Sequence, residues 1–301
     1  MPPRKLDLDA LAVASLLACS ALWGLNQVVI KLSVPHIPPL ALSGLRSLLT
    51  ALLVLLWCTY RGIALFRADG TLKAGLLVGA CYAGTVAFTY LGLTYTSASR
   101  LGVFLYLSPF MVAMGMPLIE KNERLSLLQM GGLLVAFGGM GLAFADNLSG
   151  PAPPDQWLGD LMGAVSAVFW ALTILVMRGS RLNQISPEKS VLYQAAFSVP
   201  LLALSSALAG ESMRPVWTLE LAALVGYQCV VVTFASMLLW YWLLRRYPAA
   251  KMSVFTLLTP VFGLLASVVV LDEPLTVRLL LALVTIAVGL LMVNRREPPV
   301  G

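Results

Sequence analysis

Residues 99–110 read SRLGVFLYLSPF and residues 250–261 read AKMSVFTLLTPV, so one apolar segment of the chain occurs twice. A basic residue, a Val-Phe pair and a proline align at a single offset, and the prolines, Pro109 and Pro260, are 151 residues apart. A proline inside an apolar helix removes a backbone donor and bends the helix. Paired interruptions in two halves are typical of secondary transporters, where they lie near a midplane binding site. The sequence therefore predicts mobile bends, or hinges, at Pro109 and Pro260.

The composition is that of a membrane protein. Hydrophobic residues make up 59% of the 301 positions, charged residues make up 11%, and the mean hydropathy is +0.88. A soluble domain has roughly 45–50% apolar and about 25% charged residues. The charges are clustered and leave apolar runs such as 74–99 and 221–244, each close to the roughly 20 residues that a bilayer-spanning helix needs. We interpret the first apolar run of the chain, at about residues 10–32, as a true span and not as a cleaved signal.

Ten membrane-spanning helices fit the apolar runs. Their approximate ranges are 10–32, 39–60, 73–93, 98–119, 125–145, 158–178, 188–209, 218–243, 250–271 and 277–294. The run SGPAPPD, at residues 149–155, is typical of a linker. We therefore expect a first five-helix repeat at residues 1–148, an outer linker at 149–157 and a second five-helix repeat at 158–301.

The repeat extends beyond the proline segments, since Trp23 aligns with Trp170 in the sixth span and Gly139 aligns with Gly289 in the tenth. A half of five spans crosses the membrane an odd number of times, so the second half must enter from the other side. The predicted fold is an all-α integral membrane protein, with ten transmembrane helices arranged as two inverted five-helix repeats around a central cavity. Transporters that work by alternating access have this architecture.

The distribution of basic residues predicts the orientation. With both termini in the cytoplasm, 15 of the 20 Lys and Arg residues lie on the cytoplasmic side and 5 lie on the outer side. Cytoplasmic loops of membrane proteins carry such an excess. We expect a multi-pass protein of the bacterial cytoplasmic (inner) membrane with cytoplasmic termini. The net charge of +6 follows from this bias, so it does not indicate nucleic-acid binding.

The residues that carry enzyme chemistry are scarce. The only histidine, His36, lies in the outer loop VPHIP, where we expect a solvated side chain. The sequence has no H-E-x-x-H and no G-x-x-x-x-G-K-[ST] motif. The four cysteines lie inside spans at unrelated spacings, as small core residues do: Cys19, Cys58, Cys81 and Cys229. We expect no catalytic residues, no metal site and no cofactor, and the protein is not expected to be an enzyme.

The acidic residues narrow the class of solute. All 14 Asp and Glu residues fall in loops or at the ends of spans. A carboxylate deep inside a span is costly and marks an ion or proton pathway where it occurs. Its absence disfavours a pump for lipophilic cations and favours facilitated diffusion of a neutral or zwitterionic solute.

Uncharged polar and aromatic side chains are then the candidates for lining a cavity. Polar groups inside spans face the bundle interior because lipid cannot satisfy their hydrogen bonds. For each residue the alternative is a hydrogen bond between helices that serves packing alone. The predicted substrate-binding residues are Trp23, Asn26, Tyr82, Tyr106, Trp170 and Gln228. Other aromatic residues lie near span ends and are interpreted as an interfacial belt: Trp57, Tyr60, Trp217 and Tyr247.

The fifth span is rich in glycine at positions 131, 132, 138, 139 and 141. Small residues allow two helices to approach closely, within one chain or between two chains. We favour packing within the chain, and leave open whether the protein is a monomer or a homodimer.

The chain resembles an EamA-type member of the drug/metabolite transporter superfamily. The resemblance covers roughly residues 10–294 and is carried by Trp23-Gly24, Arg46 in the second span, the two L-x-P bends and the turn Asp272-Glu273-Pro274. One departure is that Arg124 follows Glu123 where the second half has Glu273-Pro274. The nearest branch is that of bacterial aromatic-amino-acid exporters (YddG-like). The resemblance implies export of small metabolites, above all amino acids including aromatic ones, by a ten-helix carrier in the lipid bilayer.

Other functions stay open at this stage. An antiporter of phosphorylated sugars or nucleotide sugars would need basic residues for the phosphate, and Arg46, Arg100 and Lys251 lie near enough to spans to serve. A proton-coupled metabolite or drug exporter is a second alternative. An intramembrane enzyme would need a buried acid–base pair that the sequence lacks, and a receptor would not be expected to repeat itself in inverted form.

Overall fold

The computed structural model describes residues 5, 7–66, 69–93, 95–96, 98–143, 145, 154–212, 215–270 and 277–295, and the regular structure in these ranges is helical. The helices are α1 (Ala10–Ser33), α2 (Pro39–Arg61), α3 (Leu72–Gly92), α4 (Ala98–Leu105), α5 (Ser108–Ile119), α6 (Leu127–Ala143), α7 (Gln156–Gly179), α8 (Pro187–Leu208), α9 (Leu219–Gly226), a π-helix (Tyr227–Ser236), α10 (Met237–Leu244), α11 (Ala249–Phe255), α12 (Thr259–Val270) and α13 (Val277–Val293). Short 3₁₀ turns occupy Lys121–Glu123, Arg181–Gln184 and Thr256–Leu258.

Eight helical segments among the described residues are long and apolar enough to cross a membrane, with mean hydropathies of 1.5 to 2.1. Two of them, Leu101–Ile119 and Ala249–Val270, are built from two helices joined end to end. Two shorter apolar helices, Leu127–Leu142 and Leu280–Val293, lie within α6 and α13. All ten predicted spans correspond to helical segments whose ends agree within two residues. The chain is therefore a multi-pass helical membrane protein.

The helix ends follow from local sequence. Asp9 accepts a hydrogen bond from the amide of Ala12 at 2.9 Å and so caps α1. Pro39 lies in the first turn of α2, where a missing backbone donor costs nothing. Gly62 ends α2 in the left-handed region with φ of 65°, which favours glycine.

Both described ends of the chain lie at one end of the helix bundle, which we call the terminal face. The amide of Lys5 donates to the carbonyl of Arg246 at 3.0 Å, and Nε2 of Gln129 donates to the carbonyl of Arg295 at 3.4 Å. The terminal face comprises the described parts of 5–9, 61–72, 119–127, 179–189, 244–251 and 293–295. Helix α1 starts at this face and α7 starts at the opposite face, where the hydroxyl of Thr96 donates to Asp160 at 3.1 Å.

Helices α6 and α13 pack closely through glycine. A Cβ added at Gly132 would lie 2.7 Å from the carbonyl oxygen of Gly289, and one added at Gly139 would lie 2.9 Å from the side chain of Ile286. At these positions the glycine-rich helix therefore packs within the chain. Gly138, on another side of α6, would place its Cβ in open space.

We expect Gly132→Ala to destabilise the folded protein by about 1–3 kcal/mol, because the added methyl group meets backbone that cannot move without separating α6 from α13. Gly138→Ala is the matched control and should be neutral or stabilising by up to about 1 kcal/mol, since alanine is the better helix former. Thermal unfolding of the purified variants in detergent measures both effects. Equal melting temperatures for the two variants would contradict the assignment of this contact.

Candidate functional site

At both predicted bends the regular α-helical hydrogen bonding is interrupted, while the flanking backbone stays in the right-handed helical region. In the first half, α4 ends at Leu105 and α5 begins at Ser108. In the second half, α11 ends at Phe255, and α12 begins at Thr259 after one 3₁₀ turn. Regular α-helix therefore stops in the middle of two spans, where the prolines leave carbonyl groups without their usual donors, and membrane proteins tolerate such backbone only inside protein or beside a wet cavity.

Each proline is the second residue of the helix that follows the interruption, Pro109 in α5 and Pro260 in α12. The first turn of a helix does not use the missing N–H of proline, so the helix breaks before the proline instead of bending at it. The carbonyl of Thr256, which lacks its helical donor, accepts a 3₁₀ hydrogen bond from the amide of Thr259. The hinge motion itself stays a prediction.

The first helix of the chain packs on the interruption in the second half. The hydroxyl of Ser20 in α1 donates to the carbonyl of Phe255, the last residue of α11, at 3.0 Å. One turn further along α1, a Cβ added at Gly24 would lie 2.7 Å from the carbonyl oxygen of Thr259. A hydroxyl and a glycine thus bring α1 against the buried backbone at the interruption.

Helix α7 packs on the interruption in the first half in the same manner. A Cβ added at Gly163 would lie 3.0 Å from Cβ of Phe104 and 3.1 Å from the carbonyl oxygen of Leu101, both in α4. Each interrupted helix is therefore held by the leading helix of the other half, α1 or α7.

Trp23 connects α1 to the π-helix and α10. Its Nε1 donates to the hydroxyl of Ser236 at 2.8 Å, and its ring lies 5.3 Å from that of Trp240, measured between centroids. Trp240 is 1% exposed, whereas Trp23 is half-buried. The pair places two large aromatic surfaces beside the break contacted by α1.

The π-helix Tyr227–Ser236 brings side chains of the second half against α2. Thr233 is hydrogen-bonded to Thr50, and Sγ of Cys229 lies 4.0 Å from the carbonyl oxygen of Arg46. Helices of this type are rare and often mark functional sites.

Tyr82 lies ten residues from either end of α3, or roughly 15 Å at about 1.5 Å per residue. Its hydroxyl accepts a hydrogen bond from Nη2 of Arg46 at 3.1 Å, and both residues are buried. Trp170 of α7 packs against the cluster formed by Tyr82, Val86 and Leu202. The structure thus brings Tyr82 and Trp170 together at mid-span.

Asn26 and Gln228 are buried with unused acceptors. Among the described residues, neither Oδ1 of Asn26 nor Oε1 of Gln228 has a hydrogen-bond partner. Nε2 of Gln228 donates to the hydroxyl of Ser33 at 3.1 Å, at the end of α1. Because Ser33 lies ten residues beyond Trp23, about 15 Å along α1, Gln228 lies closer to the opposite face than Trp23 does.

Tyr106 lies in the turn between α4 and α5, where its amide donates to the carbonyl of Gly102 at 2.9 Å. Its side chain is half-buried and packs against the same large core as Trp23 and Trp170. All six candidate residues thus lie inside the bundle, although at different depths. Their role in binding stays a prediction.

Several residues of this region carry no sequence signal as site residues. Ser236 and Trp240 become neighbours of Trp23 only through tertiary packing, and the hydrogen bond between Tyr241 and Gln194 joins α10 to α8. Arg46 does carry a signal, because a charged residue eight positions into a span is unusual. The charge count places Arg46 on the outer side, whereas the structure buries it in α2.

A buried ion pair joins the two halves at the terminal face. Nη2 of Arg178 bonds to Glu123 and lies 3.5 Å from Glu120, and Nη1 donates to the carbonyl of Leu244. The second oxygen of Glu123 accepts from the amide of Ala249 at 2.6 Å. Burial raises the pKa of Glu123 above its ordinary value, and the charge of Arg178 opposes this rise.

Two more ion pairs fasten the terminal face. Lys189 is 2.7 Å from Asp69, and its hydrogen bond, with that of Thr71, lowers the pKa of Asp69 to about 2. Lys5 pairs with Asp9 and, together with the amide of Ala12, lowers the pKa of Asp9 to about 2. Both carboxylates are therefore ionised at any physiological pH.

Contacts at the terminal face correct the interpretation of Tyr247 as an interfacial residue and weaken that of Lys251 as a phosphate ligand. Tyr247 is not part of an interfacial belt, because it is 1% exposed and its hydroxyl donates to Asp9 at 2.9 Å. Lys251 is 2.7 Å from Asp7 and so already has an anionic partner. The side chain of Arg100 lies outside the described residues.

The remaining chemical groups have ordinary environments. His36 is exposed in the turn after α1, and all four cysteines are buried as free thiols. Within the described part of the chain, no three His, Cys, Asp or Glu side chains are grouped to hold a metal ion.

Comparison with known proteins identifies a family. The model of the EamA-like transporter family matches the chain twice, over residues 10–145 and 157–295. A solved crystal structure aligns with 94% of this chain and 98% of its own, at a TM-score of 0.80 and 20% sequence identity, which shows likeness of fold alone.

Curated relatives match over most of their length. A protein of Salmonella typhimurium named "Probable amino-acid metabolite efflux pump" is 28% identical over 277 residues, which cover 89% of each chain. A protein of Escherichia coli K12 with the same name is 27% identical, again covering 89% of each chain. The "Uncharacterized transporter YvbV" of Bacillus subtilis is 27% identical over 92% of this chain and 89% of its own.

Proposed function

Since this chain belongs to the EamA-like transporter family, we propose that it exports small metabolites, above all amino acids including aromatic ones, by alternating access. The observation that carries the proposal is that each interrupted helix packs against the leading helix of the other half of the chain. Helix α1 packs on the break before Pro260, and α7 packs on the break that precedes Pro109. Motion at either break is thereby transmitted to the other half.

The finer topology belongs to the same proposal. We take the chain as ten spans in two inverted repeats, at residues 1–148 and 158–301, joined by an outer linker at 149–157. Two observations support this arrangement: the family model matches twice, and α1 and α7 start at opposite faces of the bundle. The bias of basic residues supports a terminal face in the cytoplasm of a bacterial cell, with the protein in its inner membrane.

In this conformation we interpret the terminal face as a closed cytoplasmic gate. Its contacts link segments far apart in sequence, namely Arg178 with Glu123, Lys189 with Asp69 and Lys251 with Asp7. Opening the bundle towards the cytoplasm would have to break them. Binding energy of the solute at mid-span is the available source for that work.

An amino acid is the solute that suits the interior best. The half-buried rings of Trp23 and Trp170 offer apolar and quadrupolar surfaces to an aromatic side chain. The antiport of phosphorylated sugars is less favoured, because Lys251 is already paired with Asp7. We therefore place the chain, as part of the proposal, in the branch of aromatic-amino-acid exporters.

Counterflow in proteoliposomes tests the proposal. Vesicles loaded with unlabelled phenylalanine should accumulate labelled phenylalanine with no imposed pH gradient or membrane potential, because the acidic residues of the sequence fall in loops or at the ends of spans and not deep inside a span. Protein-free vesicles are the control, and a panel of amino acids, sugar phosphates and cations defines the specificity. Uptake that requires a pH gradient would make proton coupling the better proposal and Glu123, whose pKa is raised, the acid to test.

A further inference from the structure

The most unusual group in the interior is the guanidinium of Arg46. The residue is the eighth of α2, roughly 10 Å from the helix start at about 1.5 Å per residue, and it is 7% exposed. A charge at such depth is costly, and where it occurs it faces the bundle interior and marks a pathway or a ligand.

Within the described part of the chain, Arg46 has no anionic partner. Nη2 donates to the hydroxyl of Tyr82 at 3.1 Å, and Nε is buried without any hydrogen-bond partner. Arg178 is as deeply buried, and its Nε also lacks a partner, but it bonds to Glu123, lies close to Glu120 and donates to the carbonyl of Leu244. The difference between the two arginines is therefore the anionic partner. A buried arginine is stable when its charge is paired, and for Arg46 the described protein supplies only a neutral hydroxyl.

Unused acceptors lie on the neighbouring helices. Cys229 contacts the carbonyl of Arg46, and the adjacent Gln228 keeps a buried Oε1 without a donor. On α1, Oδ1 of Asn26 is in the same state. A buried polar atom without a partner calls for an explanation. Here a cationic donor on α2 and two neutral acceptors are left open inside the bundle, and one of the acceptors, Gln228, is adjacent in sequence to the residue that contacts the backbone of Arg46.

We propose that the Arg46 guanidinium, positioned by Tyr82, binds the carboxylate of the transported solute. The inference rests on the proposed function and names the substrate class of that site, namely small molecules with one carboxylate. The planar fork of arginine matches the two oxygens of a carboxylate. The side-chain carbonyl oxygens of Asn26 and Gln228, which lack donors, are of the kind that an ammonium group needs. A zwitterion can therefore pair its carboxylate with Arg46 and offer its ammonium group to these oxygens.

A carboxylate fits the charge of the site better than a phosphate does. A phosphate monoester carries a charge between about −1.5 and −2 near neutral pH, and one guanidinium would leave part of it uncompensated inside a span. The other basic residue considered for this role whose side chain is described, Lys251, is already paired with Asp7.

The test compares L-phenylalanine, L-phenylalaninamide and phenyl phosphate as competitors of counterflow by the full-length protein in proteoliposomes. The wild type should bind phenylalanine about 10–100-fold more tightly than the amide, since only the acid can pair with Arg46. Arg46→Gln should remove this preference: it should weaken the binding of phenylalanine and leave the affinity for the amide within about threefold of the wild-type value. Arg178→Gln, which removes another buried arginine, is the control and should leave the ratio unchanged even if it lowers stability.

The outcomes separate the two proposals. If the wild type exchanges no amino acid, the proposed function fails and the assignment of Arg46 falls with it. If the wild type exchanges phenylalanine and Arg46→Gln keeps the preference for the acid, or phenyl phosphate competes best, only the assignment of Arg46 is overturned. Should Arg46→Gln fail to fold, Arg46→Lys keeps the charge but loses the planar fork of the guanidinium. It should weaken the binding of phenylalanine about tenfold without weakening that of the amide. An unchanged ratio of the two affinities would overturn the assignment.

Discussion

Replacing Arg178 with methionine should lower the free energy of unfolding by about 3–5 kcal/mol, the cost typical of removing one partner of a buried ion pair. The side chains of Arg178 and Glu123 are 2% and 4% exposed, so water cannot replace the lost partner. Glu123 is also held by the amide of Ala249, which prevents its carboxylate from turning out to solvent. Unfolding of the purified variant in detergent, followed by circular dichroism against denaturant, measures the change.

A double-mutant cycle separates the ion pair from the loss of packing. Glu123→Met should be destabilising as well, whereas the double variant should be much more stable than the sum of the two single effects predicts, because two apolar side chains can replace a buried pair at little cost. Lys5→Met is the matched control, since Lys5 is 56% exposed and pairs with Asp9 at the same face. It should cost no more than about 1 kcal/mol. A loss at Arg178 no larger than that at Lys5 would contradict the buried-pair argument.

The apolar helical segments were predictable because a membrane imposes a characteristic composition on the helices that cross it. A helix in lipid must be apolar over roughly 20 residues, and turn residues and charges then collect between the spans. Helix bounds such as Pro39–Arg61 and Pro187–Leu208 therefore agree with the apolar runs within two residues. The break near each proline was predictable for the same local reason, the missing backbone donor.

The π-helix was not predictable, because its segment has neither proline nor glycine between residues 227 and 236. Its register depends on contacts with other helices, such as the hydrogen bonds of Thr233 with Thr50 and of Ser236 with Trp23. Side chains of α1 and α2 supply these partners, and a helix pattern within one segment contains no information about them.

The burial of the candidate residues was predictable in part, whereas their role in binding stays a prediction. The rule that polar residues inside spans face the interior placed Asn26, Tyr82 and Gln228 correctly as buried residues. The charge count treats Arg46 as a residue of the outer side, although its position eight residues into α2 is unusual for a charge. The pairing of Asp7 with Lys251, 244 residues apart, likewise depends on tertiary structure alone.

The paired prolines lead to the remaining prediction. Pro109→Ala and Pro260→Ala should each lower the rate of phenylalanine counterflow about tenfold per folded molecule. Alanine restores a backbone N–H, so the interrupted helix can gain a hydrogen bond worth about 0.5–1.5 kcal/mol and close into a straight helix. If transport requires the break, this gain adds to the barrier, and about 1.4 kcal/mol corresponds to a factor of ten in rate.

Two features separate this effect from an effect on folding. Pro200→Ala is the matched control, because Pro200 lies inside α8 at an exposed position away from both interruptions. It should leave the rate unchanged, although it removes a proline from a span in the same way. The melting temperatures of Pro109→Ala and Pro260→Ala should equal or exceed that of the wild type, since a continuous helix is the more stable form. Wild-type rates for both variants would leave the prolines as static features of the fold, whereas slow transport by a protein that melts no earlier places the lost function in the motion of α4–α5 and α11–α12.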